Sequence, residues 1–173
     1  MNEILEIFKY TLPALIVFLT TVFVIREFFR NEEQKRNRHD SELNREKTLP
    51  VRMQAYERMA LFLERISPES LVIRVNKPEM TAAQLQSELL ASIRSEFEHN
   101  VAQQVYISSE AWEKIKSAKN NVISLINSAA DQLKEDATSL ALSQKIFEQL
   151  IESESPPTSQ AMAHLKKEIE RLF

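Results

Sequence analysis

Apolar positions recur at helical spacing through most of this chain, and the clearest run starts at Thr81. Thr81 with Gln84 three residues on is a capping box, which predicts a helix start. At 100° per residue, Leu85, Leu89, Leu90, Ile93, Phe97 and Val101 share one face, a core stripe. Glu96, Asn100 and Gln104 fall inside that stripe, and Gln103 and His99 lie on its margin. Either these five polar residues sit near a solvated edge, or some of them form a buried polar layer. Charge is rarely buried unless paired.

The same periodicity predicts the neighbouring elements. Leu49-Pro50 opens a helix to Ile66 with Met53, Tyr56, Met59, Ala60, Leu63 and Ile66 on one broad face, and Arg52 within that face. Ser67-Pro68 ends it. Leu71–Val75 is β-branched enough for a short strand, but without a second strand to pair with it reads as a helical turn, then a loop through Pro78. Beyond the break at Ile107-Ser108-Ser109, a helix capped by Ser108 or Ser109 runs to about Leu133. Its stripe is Trp112, Ile115, Val122, Ile126, Ala129 and Leu133, with Lys119 in the middle. A helix over about Thr138–Glu152 is expected to bury Leu140, Ile146, Phe147, Leu150 and Ile151. Ser155-Pro156-Pro157-Thr158 stops it, and a last helix carries Met162, Leu165, Ile169 and Leu172. The fold class is all-α, with a bundle of about five helices over 49–173.

The first quarter of the chain follows other rules. Tyr10 to Ile25 is a run of 16 uncharged, mostly apolar residues, preceded by Ile4, Leu5, Ile7 and Phe8. Together they approach the roughly 20 residues that a membrane span needs. Acidic rather than basic leading residues, and no small-residue cleavage site, argue against a signal peptide. The expectation is a single transmembrane helix over 1–25, contacting the membrane through residues 4–25. Only Lys9 precedes the run, whereas Arg26, Arg30, Lys35, Arg36 and Arg38 follow it. Basic residues favour the cytoplasmic side. This predicts a single-pass protein of the inner membrane, with the N-terminus outside and the C-terminal domain in the cytoplasm. Residues 26–48 are charged nearly all round and read as a stalk or linker, up to roughly 33 Å long if helical.

The segments LPVRMQAYERMALFLERI (Leu49–Ile66) and IRSEFEHNVAQQVYISSEAW (Ile93–Trp112), with the N-terminal run, resemble an uncharacterised family of bacterial membrane-anchored helical proteins. The resemblance implies the architecture and a bacterial setting. It implies no activity and transfers no catalytic residue.

Composition removes several functions. The 173 residues contain no Gly, so no Gly-rich phosphate loop or dinucleotide fingerprint is possible. There is no Cys, which excludes disulfides, thiol nucleophiles and Cys-ligated metals. The net charge is −3, and from Met53 onward 17 acidic residues face 13 basic ones. That lacks the basic footprint of a nucleic-acid binder. Glu96-Phe97-Glu98-His99 is the Glu-x-x-His half of a di-iron carboxylate motif, so Glu96 and His99 are weak metal candidates. His39 and His164 have no Glu three residues before them, so a second half is missing. No cofactor and no catalytic set is expected.

The functional expectation is a non-enzymatic, membrane-anchored interaction or scaffold module that engages a protein partner or itself. The alternative is a metal- or small-ligand-binding bundle with sensing or oxidative chemistry. One structural expectation is sharper. If the helices at 50–66 and 82–106 pack antiparallel with Ile66 level with Ala82, then Arg52 and Glu96 meet, and Lys119 comes to the same level. The expected buried polar layer is Arg52, Glu96, Asn100 and Lys119, serving either helix register or, with two cations facing one carboxylate, an anion site.

Overall fold

A computed structural model describes residues 18, 20–28, 30, 32, 48–153 and 155–171. The chain divides into two compact units, Met1–Leu49 and Pro50–Phe173. In the first, the described residues are helical. Most of the expected anchor and stalk, residues 1–17 and 33–47 above all, lies outside the described residues. Among the described residues no helix is long and apolar enough to cross a membrane.

The second unit is all helix, with no strand among its described residues. α1 occupies 48–65, of which the residues from Pro50 on belong to this unit. It buries Ala55, Tyr56, Met59, Phe62 and Leu63, with Ile66 just past its end, a spacing of three and four that keeps one face inward. α2 (Pro68–Val75) corrects the expectation of a turn and loop. Pro68 stands in its first turn, where no backbone N–H is required, and Leu71 and Val72 are buried. Contact with α3 and α5 outweighs the poor helix propensity of its β-branched residues.

α3 (Ala82–Asn100) starts at the expected capping box: the Thr81 hydroxyl accepts from the Gln84 N–H, and the Gln84 side chain accepts from the Thr81 N–H. It buries Leu85, Leu89 and Ile93 completely, each contributing about 1.5–3 kcal/mol. The helix does not continue to residue 106. From Val101 to Val105 it tightens into a 3-10 segment, and Val101, expected in the core, is exposed.

α4 (Ser109–Asp131) is capped by Ser108, whose hydroxyl accepts from the Ala111 N–H at 3.0 Å. Its inward face is Ala111, Ile115, Ala118, Val122, Ile126 and Ala129. The alanines let neighbours approach closely, and α4 packs against α3, α5 and α6. α5 (Ser139–Glu152) keeps Ile146 in the core and Phe147 against it, as expected, but turns Leu140 and Ile151 outward. Leu142 and Ile146 are buried, with Ser139 and Ser143, whereas Leu140 is 60% and Ile151 84% exposed. The helix carries apolar residues on two faces, and tertiary packing chose the one containing Leu142. α6 (Ser159–Glu170) closes the bundle by burying Ala161 and Leu165.

One feature ties two helix starts together. Thr81 and Thr138, the N-caps of α3 and α5, form a lone antiparallel bridge. Ala82 N–H donates to Ala137 O at 2.9 Å, and Ser139 N–H to Met80 O at 3.1 Å. Backbone groups that a helix start leaves unpaired are thus satisfied by the other helix start.

Candidate functional site

The expected polar layer does not assemble. Arg52 does not meet Glu96; its Nε donates to the Tyr106 carbonyl at 3.3 Å. Glu96 is taken instead by Arg65, whose Nε and Nη2 lie 2.7 and 2.5 Å from the same Oε1. Asn100 donates to the backbone carbonyl of Glu96 at 2.8 Å, not to its carboxylate. Lys119 places its ammonium 4.2 Å from the centre of the Phe97 ring.

The physical reason is α2. α1 and the α3 segment do run antiparallel, but the partners are Arg52 with Tyr106, Phe62 with Phe97, and Arg65 with Glu96. Because α2 packs against α3, the end of α1 lies opposite Glu96 and not opposite Ala82. The 13 residues between Arg52 and Arg65 amount to roughly 20 Å of helix.

The metal candidates are otherwise engaged. Glu96 belongs to Arg65, and the His99 ring donates from Nδ1 to the Ser95 carbonyl at 2.7 Å. Among the described residues no group of three His, Cys, Asp or Glu side chains could hold a metal ion. Of the remaining polar pair, Gln103 is half-buried and Gln104 exposed.

What occupies the centre of the expected layer is aromatic. Phe97 stacks on Trp112, with ring centroids 5.3 Å apart and planes inclined by 21°, and meets Phe62 at 5.9 Å. Three helices thereby share one ladder, with Lys119 covering it.

A second cluster, absent from the sequence-based expectations, centres on Glu168 of α6. Tyr56 donates to its Oε2 at 2.8 Å. Ser108 donates to its Oε1, and His164 Nε2 lies 3.0 Å from the same oxygen. The Nδ1 of His164 is 3.6 Å from Glu110. The Glu168 side chain is only 15% exposed. Burial pushes this carboxyl upward, but the hydrogen bonds from Ser108, Tyr56 and His164 outweigh it and hold the group below its ordinary value. Tyr56 is raised above the usual phenol range, first by burial and then by the neighbouring Glu168, with Arg52 partly opposing.

The composition invites comparison with a hydrolase triad, and the geometry rejects it. The carboxylate, not the imidazole, is the hub. The imidazole lies between two carboxylates, and the serine hydroxyl donates to Glu168 while accepting from Ala111. That hydroxyl is engaged on both sides as a cap, so no activated nucleophile results. The cluster fastens α6 to α1 and to the start of α4. A signal was present in the sequence: Leu165, Glu168 and Leu172 continue the α6 stripe, so Glu168 is a carboxylate at an apolar position.

The Arg65–Glu96 pair should be worth little. Arg65 is 55% exposed, so solvent screening holds the coupling to about 0.5–1 kcal/mol. In a double-mutant cycle read by urea unfolding, Arg65→Met with Glu96→Gln is expected to show that coupling. Arg52→Met with Glu96→Gln should be additive to within about 0.5 kcal/mol; a larger coupling there would contradict the observed register.

A family model described as a family of unknown function (DUF7935) matches residues 2–172. No curated protein matches the chain, and no solved structure does.

Proposed function

The chain belongs to this uncharacterised family, and since membership transfers no activity, we propose from its own residues that it is a non-enzymatic, membrane-anchored helical interaction module. The observation that carries this reading is the exposure of the N-terminal helical residues. Phe18, Phe23, Val24, Ile25 and Phe28 are between 49% and 70% exposed. At 100° per residue Phe18, Val24, Ile25 and Phe28 fall within about 120° of one another, and Phe23 lies apart from them. A helix that leaves five large apolar side chains exposed, beside an uncharged run from Tyr10 to Ile25, suits a lipid environment.

In this proposal residues 4–25 span a bacterial inner membrane and 26–48 hold the bundle away from it. The excess of Lys and Arg after the span sets the bundle on the cytoplasmic side. The bundle then presents surfaces to a protein partner or to a second copy. The engaged state of Ser108, His164 and Glu168 supports a structural role for the best-formed polar cluster.

Alkaline phosphatase, which folds only outside the inner membrane, tests the topology. Fused after Phe173 it is expected to be inactive, while the protein stays in the membrane fraction after carbonate washing. Strong phosphatase activity would reverse the orientation. Release by carbonate would remove the anchor altogether.

A further inference from the structure

We propose that the groove between α1, α2 and α3, beside the Arg65–Glu96 pair, binds a phosphate group carried by a monoester. The groove has a volume of about 410 Å³ and is lined by Arg65, Arg74, Ala91, Ser92, Ser95 and Glu96. It stands whether or not residues 4–25 cross a membrane.

Both guanidinium groups are held in place by the protein with part of their donor capacity unspent. Arg74 donates one N–H, from Nη2, to the Arg65 carbonyl at 3.2 Å. Arg65 spends Nε and Nη2 on a single oxygen of Glu96. A guanidinium has five N–H donors, so each arginine retains an unused edge. Ser92 and Ser95, three residues apart on α3, line the third wall, and Ala91 adds little bulk.

Two cations face one carboxylate, which leaves the groove one positive charge in excess. Guanidinium donors from two helices, with two serines lining the third, suit the tetrahedral array of phosphate oxygens better than a planar carboxylate, which presents two. Guanidinium groups are also the side chains best matched to phosphate geometry. The open mouth leaves room for the remainder of an ester. Solvent exposure and salt screening limit the affinity to the range of about 1 mM.

The test uses the full chain in non-ionic detergent, titrated with inorganic phosphate and with phenyl phosphate. NMR follows the side-chain Nε–H signals of Arg65 and Arg74 and the amides of Ser92 and Ser95. Saturable shifts are expected. Arg74→Gln should weaken binding at least about tenfold without disturbing the Arg65–Glu96 pair. Glu96→Gln should tighten it about threefold or more, because Arg65 is released and the competing carboxylate is gone. That gain cannot come from a residue whose role is only structural.

A further arm places the chain in nanodiscs containing phosphatidic acid or phosphatidylcholine alone. Shifts of the same signals with phosphatidic acid assign a lipid headgroup as the source, and shifts with soluble esters only assign a soluble ligand. No saturation by about 20 mM phosphate would overturn the proposal. So would affinities that neither substitution changes.

Discussion

Replacing Glu168 with alanine is expected to cost about 3 kcal/mol of bundle stability, measured by urea unfolding of the full chain and read by the fluorescence of its single tryptophan, Trp112. The loss comes less from the carboxylate than from what it leaves behind. Tyr56, Ser108 and His164 each lose their acceptor in a largely buried place. Tyr56→Phe removes one donor and keeps the hub, so about 1 kcal/mol is expected. Acid should imitate the alanine substitution. A carboxyl whose folded pKa is depressed stabilises the fold above its unfolded value, near 4.5, and loses that contribution as pH falls through the folded value. The wild type should therefore weaken below about pH 4.5 more steeply than Glu168→Ala. Equal slopes would show that the hub does not carry this titration.

Phe97→Ala is expected to be at least as damaging, at about 3–4 kcal/mol. One ring meets Phe62 of α1, Trp112 of α4 and the ammonium of Lys119. Removing it leaves a gap between three helices that cannot all close on it. Trp112 emission should shift to the red, since its stacking partner is replaced by space that water can enter. Lys119→Met should cost less than about 1 kcal/mol, because a cation over a partly exposed ring contributes about that much. If Lys119→Met proved as costly as Phe97→Ala, the ammonium would be holding the ladder together, and the packing account would fail.

The core of this fold was readable because burial has a period. The stripes of α1, α3 and α4 follow from positions such as Tyr56, Leu89 and Ile126, each forced inward by its neighbours one turn away. Thr81 and Ser108 were readable because a cap depends on a few adjacent residues. Failures came where the answer depended on something distant. α5 has two candidate faces, and only the position of the other helices selects Leu142 over Leu140. The pairing of Arg52 with Glu96 required a register between helices, and a helix of eight residues, α2, moved that register by about three and a half turns. Glu96 and Glu168 give the same signal, a carboxylate on an apolar stripe. His164 is one turn from Glu168, but the other partners, Arg65 for Glu96 and Tyr56 and Ser108 for Glu168, lie far away in the chain and are set by packing.

The contact between Tyr56 and Glu168 has a mechanical consequence. It sets the last turn of α6 beside an early turn of α1, so the chain enters and leaves the bundle side by side. A pull applied between residues 50 and 171 opens these two helices like a zipper, with the hydrogen bonds around Glu168 bearing the load first and the core behind them afterwards. Resistance to such tension should be low and stepwise. The same pull applied between Arg52 and Arg65 would stretch α1 along its axis and load its buried side chains all at once.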